Sequence, residues 1–248
     1  MSSVWVPAPR YVLRKHCVLR LLSGLAPGYL LEVGCAQGDM LRTLADRGFT
    51  GFGVDLSEDA IREARTATLA GLETRMRVGL AGEERGTGPY DYVMGLEVLE
   101  HIEDDRGRLS EWRGYLNTGG RLLLSVPAHP ERWGASDEAV GHYRRYTRAG
   151  LRSLLEQTGF RLEHLWCYGF PMGNLSHLFT ERLYRRRAAR GRNADRQTRS
   201  ARSGLDRSVL KPVAWIWQNP LFRVFCLAQM LFVHTDWGNG YVLRAQAV

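Results

Sequence analysis

Residues 29–40 read YLLEVGCAQGDM. An apolar run, Leu30 and Leu31, ends on a carboxylate, Glu32. Small residues and two glycines, Gly34 and Gly38, follow, and apolar residues at helical spacing resume at Met40, Leu41 and Leu44. A buried strand that closes on an acid and a bare backbone suits a place where a ligand must come close to the main chain. The pattern then repeats. "GFGVDLS" (Gly51 to Ser57) reads as a second strand ending at Asp55, with Ser57 placed to cap a helix running to about Leu69. "TRMRVG", "YDYVMGL" (Tyr90 to Leu96), "GRLLLSVPA" and "RLEHLWCYG" read as strands three to six. Helices "DDRGRLSEWRGYL" and "TRAGLRSLLEQTGF" fall among them, the second with Thr147 as cap and Gly159 as stop. Strands alternating with helices predict an α/β fold: a seven-stranded, mostly parallel sheet with helices on both faces.

The seventh strand, "GYVLRAQ", comes late, so a helical insertion precedes it. The reading divides the chain into an N-terminal helical segment (1–28), a core (29–169), a basic and aromatic insertion (170–238) and a final core strand (239–248). The first segment carries Tyr11, Val12, Cys17, Val18, Leu21 and Leu22 at helical spacing before Pro27-Gly28 breaks it.

Charge says little at the level of the whole chain. The formal charge is +8, but Lys occurs only at positions 15 and 211, and an Arg bias of that kind fits a GC-rich coding sequence. Cys17, Cys35, Cys167 and Cys226 are far apart, with no CxxC pair, so a disulfide framework and a zinc site are not indicated and no metal ligand is assigned. There is no continuous apolar leader. "LFRVFCLAQMLFV" is too short to span a bilayer and contains Arg223. These features lead to an expected cytoplasmic location, with contact at the inner face of the membrane left open.

In an open parallel sheet, ligands bind beyond the carboxyl ends of the strands. Gly34 and Gly38 bare the backbone there. Asp55, about 20 residues on, can accept hydrogen bonds from a ribose diol. Together they specify a nucleoside-containing cofactor. A dinucleotide fingerprint would need G-x-G-x-x-G, and the frame from Gly34 puts Ala36 and Asp39 at the second and third glycine positions. An NAD-dependent oxidoreductase is therefore disfavoured.

These stretches resemble class I S-adenosylmethionine (SAM)-dependent methyltransferases. "YLLEVGCAQGDM" is similar to their first motif and "GVDLSEDAI" to the next; "YDYVMGLEVLEHIED", "LNTGGRLLLSVPAH" and "HYRRYTRAGLRSLLEQTGF" resemble later blocks of the quinone-biosynthesis-like branch. The resemblance implies a Rossmann-like core and SAM as cofactor, with S-adenosylhomocysteine as product. It implies that Glu32 orients the first loop near the methionine amino group, and that Gly34, Cys35 and Gly38 meet the methionine part. Asp55 would hold the ribose, Leu56 would lie against adenine, and Leu96 and Glu97 would line the cofactor. One departure stands out: Leu80 sits where the family often carries an adenine-binding Asp, leaving Glu83 or a backbone carbonyl to serve.

Methyl transfer needs alignment and exclusion of water, and a base only where the acceptor has a proton to lose. His101, His129 and His142 are the candidates. Each also has a plainer reading, packing for His101 and a surface loop for the other two. "HYRRYT" is read as either an acceptor-site lid or a solvated loop.

The insertion pairs Arg185, Arg186, Arg187, Arg190 and Arg192 with Trp215, Trp217, Phe222, Phe225 and Phe232. Residues 185–204 read as mobile. Such a segment can cap an apolar acceptor pocket, rest on an anionic membrane through residues 185–234, or bind RNA. The aromatic residues alternate with Leu and Val at helical spacing, which argues for burial and against nucleic acid. The expectation is a methyltransferase for a small, hydrophobic acceptor such as a natural product, prenyl or lipid-like compound, with an anionic or diphosphate head in view. A non-catalytic nucleoside-binding or membrane-docked partner protein is the alternative of another class.

Overall fold

A computed structural model describes residues 7–84, 88–188, 219 and 222–248. The elements run α1 (Pro9–Leu21), β1 (Tyr29–Val33), α2 (Asp39–Ala45), β2 (Thr50–Asp55), α3 (Glu58–Glu63), β3 (Met76–Leu80), β4 (Tyr90–Leu96), α4 (Asp105–Tyr115), β5 (Leu116–Pro127), α5 (Ala135–Val140), α6 (Arg148–Gln157), β6 (Phe160–Tyr168), α7 (Met172–Ala188), α8 (Arg223–Ala228) and β7 (Gly240–Ala247). One seven-stranded sheet has the order β3-β2-β1-β4-β5-β7-β6. All pairs are parallel except those of β7, which is antiparallel to both β5 and β6. The fold is the Rossmann-like α/β class anticipated from the sequence.

Leu30 and Leu31 are both fully buried, as alternate residues of a strand covered on both faces must be. One face is covered by α1 and α2 through Leu13, Cys17, Val18, Leu41 and Leu44. The other is covered by α4 and α6 through Leu109, Trp112, Leu151 and Leu155. The order reverses between β1 and β4, since β2 lies on one side of β1 and β4 on the other. Loops leaving these two strands therefore diverge, and a crevice opens between them.

Ser57 caps α3 by accepting from the Ala60 N–H at 3.2 Å, and Thr147 caps α6 by accepting from the Gly150 N–H at 3.0 Å. The helix expected to reach Leu69 stops at Glu63 and continues as a π-helical turn over Ala64–Thr68. The short helix α5 was not anticipated: it offers one turn and a half and too few apolar positions for a period to register. All four cysteines are free and buried. No described helix is long and apolar enough to cross a membrane. Of the residues expected in the mobile Arg-rich stretch, those from 189 on, with Arg190, Arg192, Trp215 and Trp217, lie outside the described residues, as does the Arg187 side chain. Residues 185–188 themselves belong to α7.

Candidate active site at the β1–β4 crevice

The loop after β1 is folded by positive backbone angles. Gly34 has φ +74° and Gly38 φ +79°, with Ala36 between them at φ 47°. A Cβ at Gly34 would fall 2.4 Å from Val98 Cγ2, so no larger residue fits. The Gly34 and Cys35 N–H groups donate to the Val54 carbonyl at 2.8 and 3.0 Å, which pins the loop to β2. Asp55 completes the tie: Oδ2 accepts from the Ala36 N–H and Oδ1 from the Ser57 N–H, each at 2.9 Å. Its carboxylate is partly exposed, and each oxygen keeps a second lone pair. Leu56 beside it is 57% exposed, an apolar side chain with nothing over it.

Glu32 is 4% exposed, and its Oε2 has no hydrogen-bond partner. Burial, with the nearby Asp39 adding to it, pushes its carboxyl up to about 8. Cys35 is buried, and burial raises its thiol as well, so it serves here as a small residue in a tight turn. Leu80 pairs with Asp55 in the sheet, and the Glu83 carboxylate lies against Gly79 near the end of β3.

At the end of β4, Leu96 is buried and Glu97 adopts φ 60°. Glu97 Oε2 lies 2.8 Å from Arg10 Nη2, and Oε1 lies 3.6 Å from Arg14 Nη1. Ser125 Oγ and Tyr168 OH donate to Oε1 at 3.1 and 3.2 Å. So Glu97 ties α1 to the sheet. Sequence reading missed Arg10, Arg14 and Lys15, the last paired with Asp39 at the start of α2. The signal was there, since Arg10 and Arg14 stand one turn apart on the same face of α1 as its buried Leu13, Cys17 and Leu21, where a cation needs a partner.

Beyond Glu97, a 3-10 turn over Leu99–His101 turns Glu100 inward. Glu100 is 0% exposed and neither carboxylate oxygen has a hydrogen bond; burial, then Glu97, raises its carboxyl well above the usual range. The His101 ring meets the His142 ring edge-on at 4.6 Å. His142 Nδ1 lies 2.8 Å from Asp137 Oδ1, and its Nε2 lies 3.8 Å from Glu100 Oε1. Asp137 also takes Arg145 Nε at 2.9 Å on both oxygens and the Gly134 N–H at 3.0 Å. "HYRRYT" is thus not a solvated loop. His142, Arg145 and Tyr146 are buried, and Tyr146 OH donates to Asp105 at 3.0 Å.

Of the three histidines singled out, the fold brings His101 and His142 together. His129 stands elsewhere: it packs on Tyr241, with Nε2 4.0 Å from Cys167 Sγ and Nδ1 3.2 Å from Glu131. The segment carrying His142 is fastened from above by α7. Glu181 accepts from the Ala135 and Ser136 N–H groups at 2.8 and 3.0 Å.

A family model described as a methyltransferase domain matches residues 10–165. The ubiquinone biosynthesis O-methyltransferase of Caulobacter sp. (strain K31) is 36% identical over 100 residues, which cover 39% of this chain and 40% of that protein. That of Bordetella avium is 31% identical over 120 residues, 46% of this chain and 48% of that protein. The chain therefore spans less than half the length of these relatives. Magnesium protoporphyrin IX methyltransferase from Synechocystis PCC 6803, crystallised with bound SAH, superposes with a TM-score of 0.56 at 15% identity, over 97% of this chain and 86% of that one. A SAM-dependent methyltransferase from Mesorhizobium loti gives 0.59 at 14% identity, over 96% and 100%. At such identities the likeness is one of fold.

Proposed function

We propose that this chain, which belongs to the methyltransferase-domain family, uses SAM to methylate a small, hydrophobic acceptor. The observation that carries the reading is the unpartnered Glu32 Oε2, buried behind a glycine turn. A buried carboxylate without a partner is costly unless a cation or a proton answers it, and the methionine amino group is such a cation. The residues around it fit the rest of the cofactor. Asp55 has lone pairs for the ribose hydroxyls, Gly34 and Gly38 allow close approach of the methionine part, and Leu56 offers an apolar surface to adenine. When bound, the sulfonium supplies an activated methyl group for in-line displacement.

The chain's own residues orient and protect. Glu97, held by Arg10 and Arg14, fixes the end of β4 and so the wall of the crevice. His142 is presented through Nε2, because Asp137 engages Nδ1; an acceptor proton can be taken there. His101 and Glu100 border the same point. His129 has no part in this arrangement. The relatives, which are O-methyltransferases by name, support an acceptor oxygen.

The acceptor's apolar character is supported by α7. Leu175, Leu178 and Phe179 are exposed along one stripe, and the exposed Arg182, Arg185 and Arg186 continue it. Apolar residues followed by arginines suit an acceptor with an apolar body and an anionic head, or a membrane surface that presents one.

The test is calorimetric titration with SAM, S-adenosylhomocysteine and NAD, followed by transfer from methyl-labelled SAM to prenylated and other apolar phenols. Micromolar binding of both sulfur nucleosides, no binding of NAD, and label in an organic acceptor are expected. Absence of sulfur-nucleoside binding would overturn the reading.

A further inference from the structure

We infer that His177, in the second turn of α7, is an acceptor contact: it overhangs the crevice and holds an uncharged oxygen of the acceptor, a hydroxyl or carbonyl other than the one methylated. The inference rests on the methyl-transfer reading and deepens it, because it says what a hydrophobic acceptor must carry beside its reactive group.

Helical spacing puts Gly173, His177 and Glu181 on one face of α7, one turn apart. The two outer positions are fixed to different parts of the molecule. The Gly173 carbonyl accepts from Asn239 Nδ2 at 3.0 Å, and a Cβ at Gly173 would lie 3.7 Å from Leu13 Cδ1, so this turn rests on α1. The Glu181 carboxylate holds the first turn of α5 through the Ala135 and Ser136 N–H groups. His177 is therefore held over the gap between α1 and α5. On the α1 side of that gap stands Arg10, one turn before Leu13, which reaches Glu97 at 2.8 Å. On the α5 side stands Asp137, which reaches His142 at 2.8 Å. Arg145, Arg10, Asp137 and Glu181 are the charges that act on the His177 ring. The helix thus carries a histidine across the mouth between the end of β4 and His142, where an acceptor must lie.

Its neighbours on this rim are engaged. Arg10 is taken by Glu97 and Tyr168, Arg145 by Asp137 and the Ala128 carbonyl, and His142 Nδ1 by Asp137. Among the described residues, none hydrogen-bonds the His177 ring. Polar groups that exist only to pack are nearly always hydrogen-bonded within the protein. His177 is half-buried on the inner face of its helix, and both ring nitrogens are left to serve a ligand.

Charge decides what that ligand group is. Burial first, then Arg145 and Arg10, lower the His177 ring to about 4, so it is neutral at pH 7. A neutral imidazole offers one N–H donor and one lone pair. The four charges around it, two arginines and two carboxylates, cancel. No net positive charge is left to draw a carboxylate or phosphate inward, whereas an uncharged oxygen gains a hydrogen bond at little cost in desolvation. An anionic head would find its partners elsewhere, at the exposed Arg182, Arg185 and Arg186 of α7.

The test compares two probes that differ by one hydroxyl, 3-pentylphenol and 5-pentylresorcinol, by calorimetric titration of the full chain, both free and saturated with S-adenosylhomocysteine. The resorcinol should bind about fivefold more tightly, the worth of one hydrogen bond. That preference should persist in His177→Gln, which keeps a donor and an acceptor, and vanish in His177→Phe. Affinity for S-adenosylhomocysteine should be the same in both variants. Its absence in the unsubstituted chain would count against the methyl-transfer reading, while the comparison of the two phenols decides the present one. A second measurement needs no apolar variant, should His177→Phe melt early: the His177 ring signal in proton NMR, identified by its loss in His177→Gln, should move as the resorcinol saturates the chain. Equal affinity for the two phenols, binding of neither, a preference that survives in His177→Phe, or a ring signal unmoved at saturation would each overturn the inference.

Discussion

Arg10 Nη2 stands 2.8 Å from Glu97 Oε2, and through this pair the first helix is fastened to the end of β4. Burial works against the Glu97 charge, but Arg10 and then Arg14 outweigh it and hold the carboxyl at about 2. Arg10→Ala leaves that charge half answered, and a loss of about 3 kcal/mol is expected in urea unfolding at pH 7. A carboxyl depressed in the folded state stabilises fully above its ordinary value of 4.5 and loses that contribution as the pH falls toward 2. The deficit of Arg10→Ala should therefore be whole at pH 7 and shrink on acidification. An equal deficit at pH 7 and at pH 3 would refute the assignment.

Glu32 works in the opposite sense. Burial first, and Asp39 next, raise its carboxyl from 4.5 to about 8. A raised group stabilises the fold below its unfolded value and loses that contribution as the pH rises through the folded one. Ligand-free Glu32→Gln should match the wild type at pH 5 and melt higher at pH 9, by at least about 2 °C for a chain of this size. Scanning calorimetry at the two pH values checks it.

Asp55 ties two loops together and faces the proposed ribose position. Asp55→Ala should weaken SAM binding at least tenfold, about 1.4 kcal/mol, because it removes an acceptor of hydroxyl hydrogen bonds and frees the Ala36 and Ser57 N–H groups. Asp55→Asn, which keeps one acceptor oxygen, should fall between. Titration calorimetry measures both, and wild-type affinity in the alanine variant would remove Asp55 from the site.

Glu181 joins α7 to the first turn of α5. In Glu181→Ala the Ala135 and Ser136 amides lose their acceptor, and their hydrogen exchange should quicken roughly tenfold through local opening. The amides of α4 should keep their rates. Uniform acceleration would instead signal general destabilisation.

Much of this architecture was legible in the sequence because local chemistry and tertiary role agree. Leu30 and Leu31 are apolar where a central strand must be, Gly34 and Gly38 are where φ is positive, and Ser57 and Thr147 cap the helices they precede. What was not legible depends on distance along the chain. Arg10 gives no hint that its partner is Glu97, nor His101 that it will meet His142. "HYRRYT" looks like a polar loop, since nothing in it announces that Arg145 is buried against Asp137. In the sequence His129 looks the equal of His142, because exposure and ring contacts exist only after folding.

The strand β7 lies between β5 and β6, although both are synthesised before it. On the ribosome, β5 and β6 must each hold an unpaired edge while more than seventy further residues emerge. Open edges of that kind invite pairing with other chains. The nascent protein is thus most vulnerable just before its sheet is complete, and the inner edge of β5 is protected only when β7 takes its place beside it.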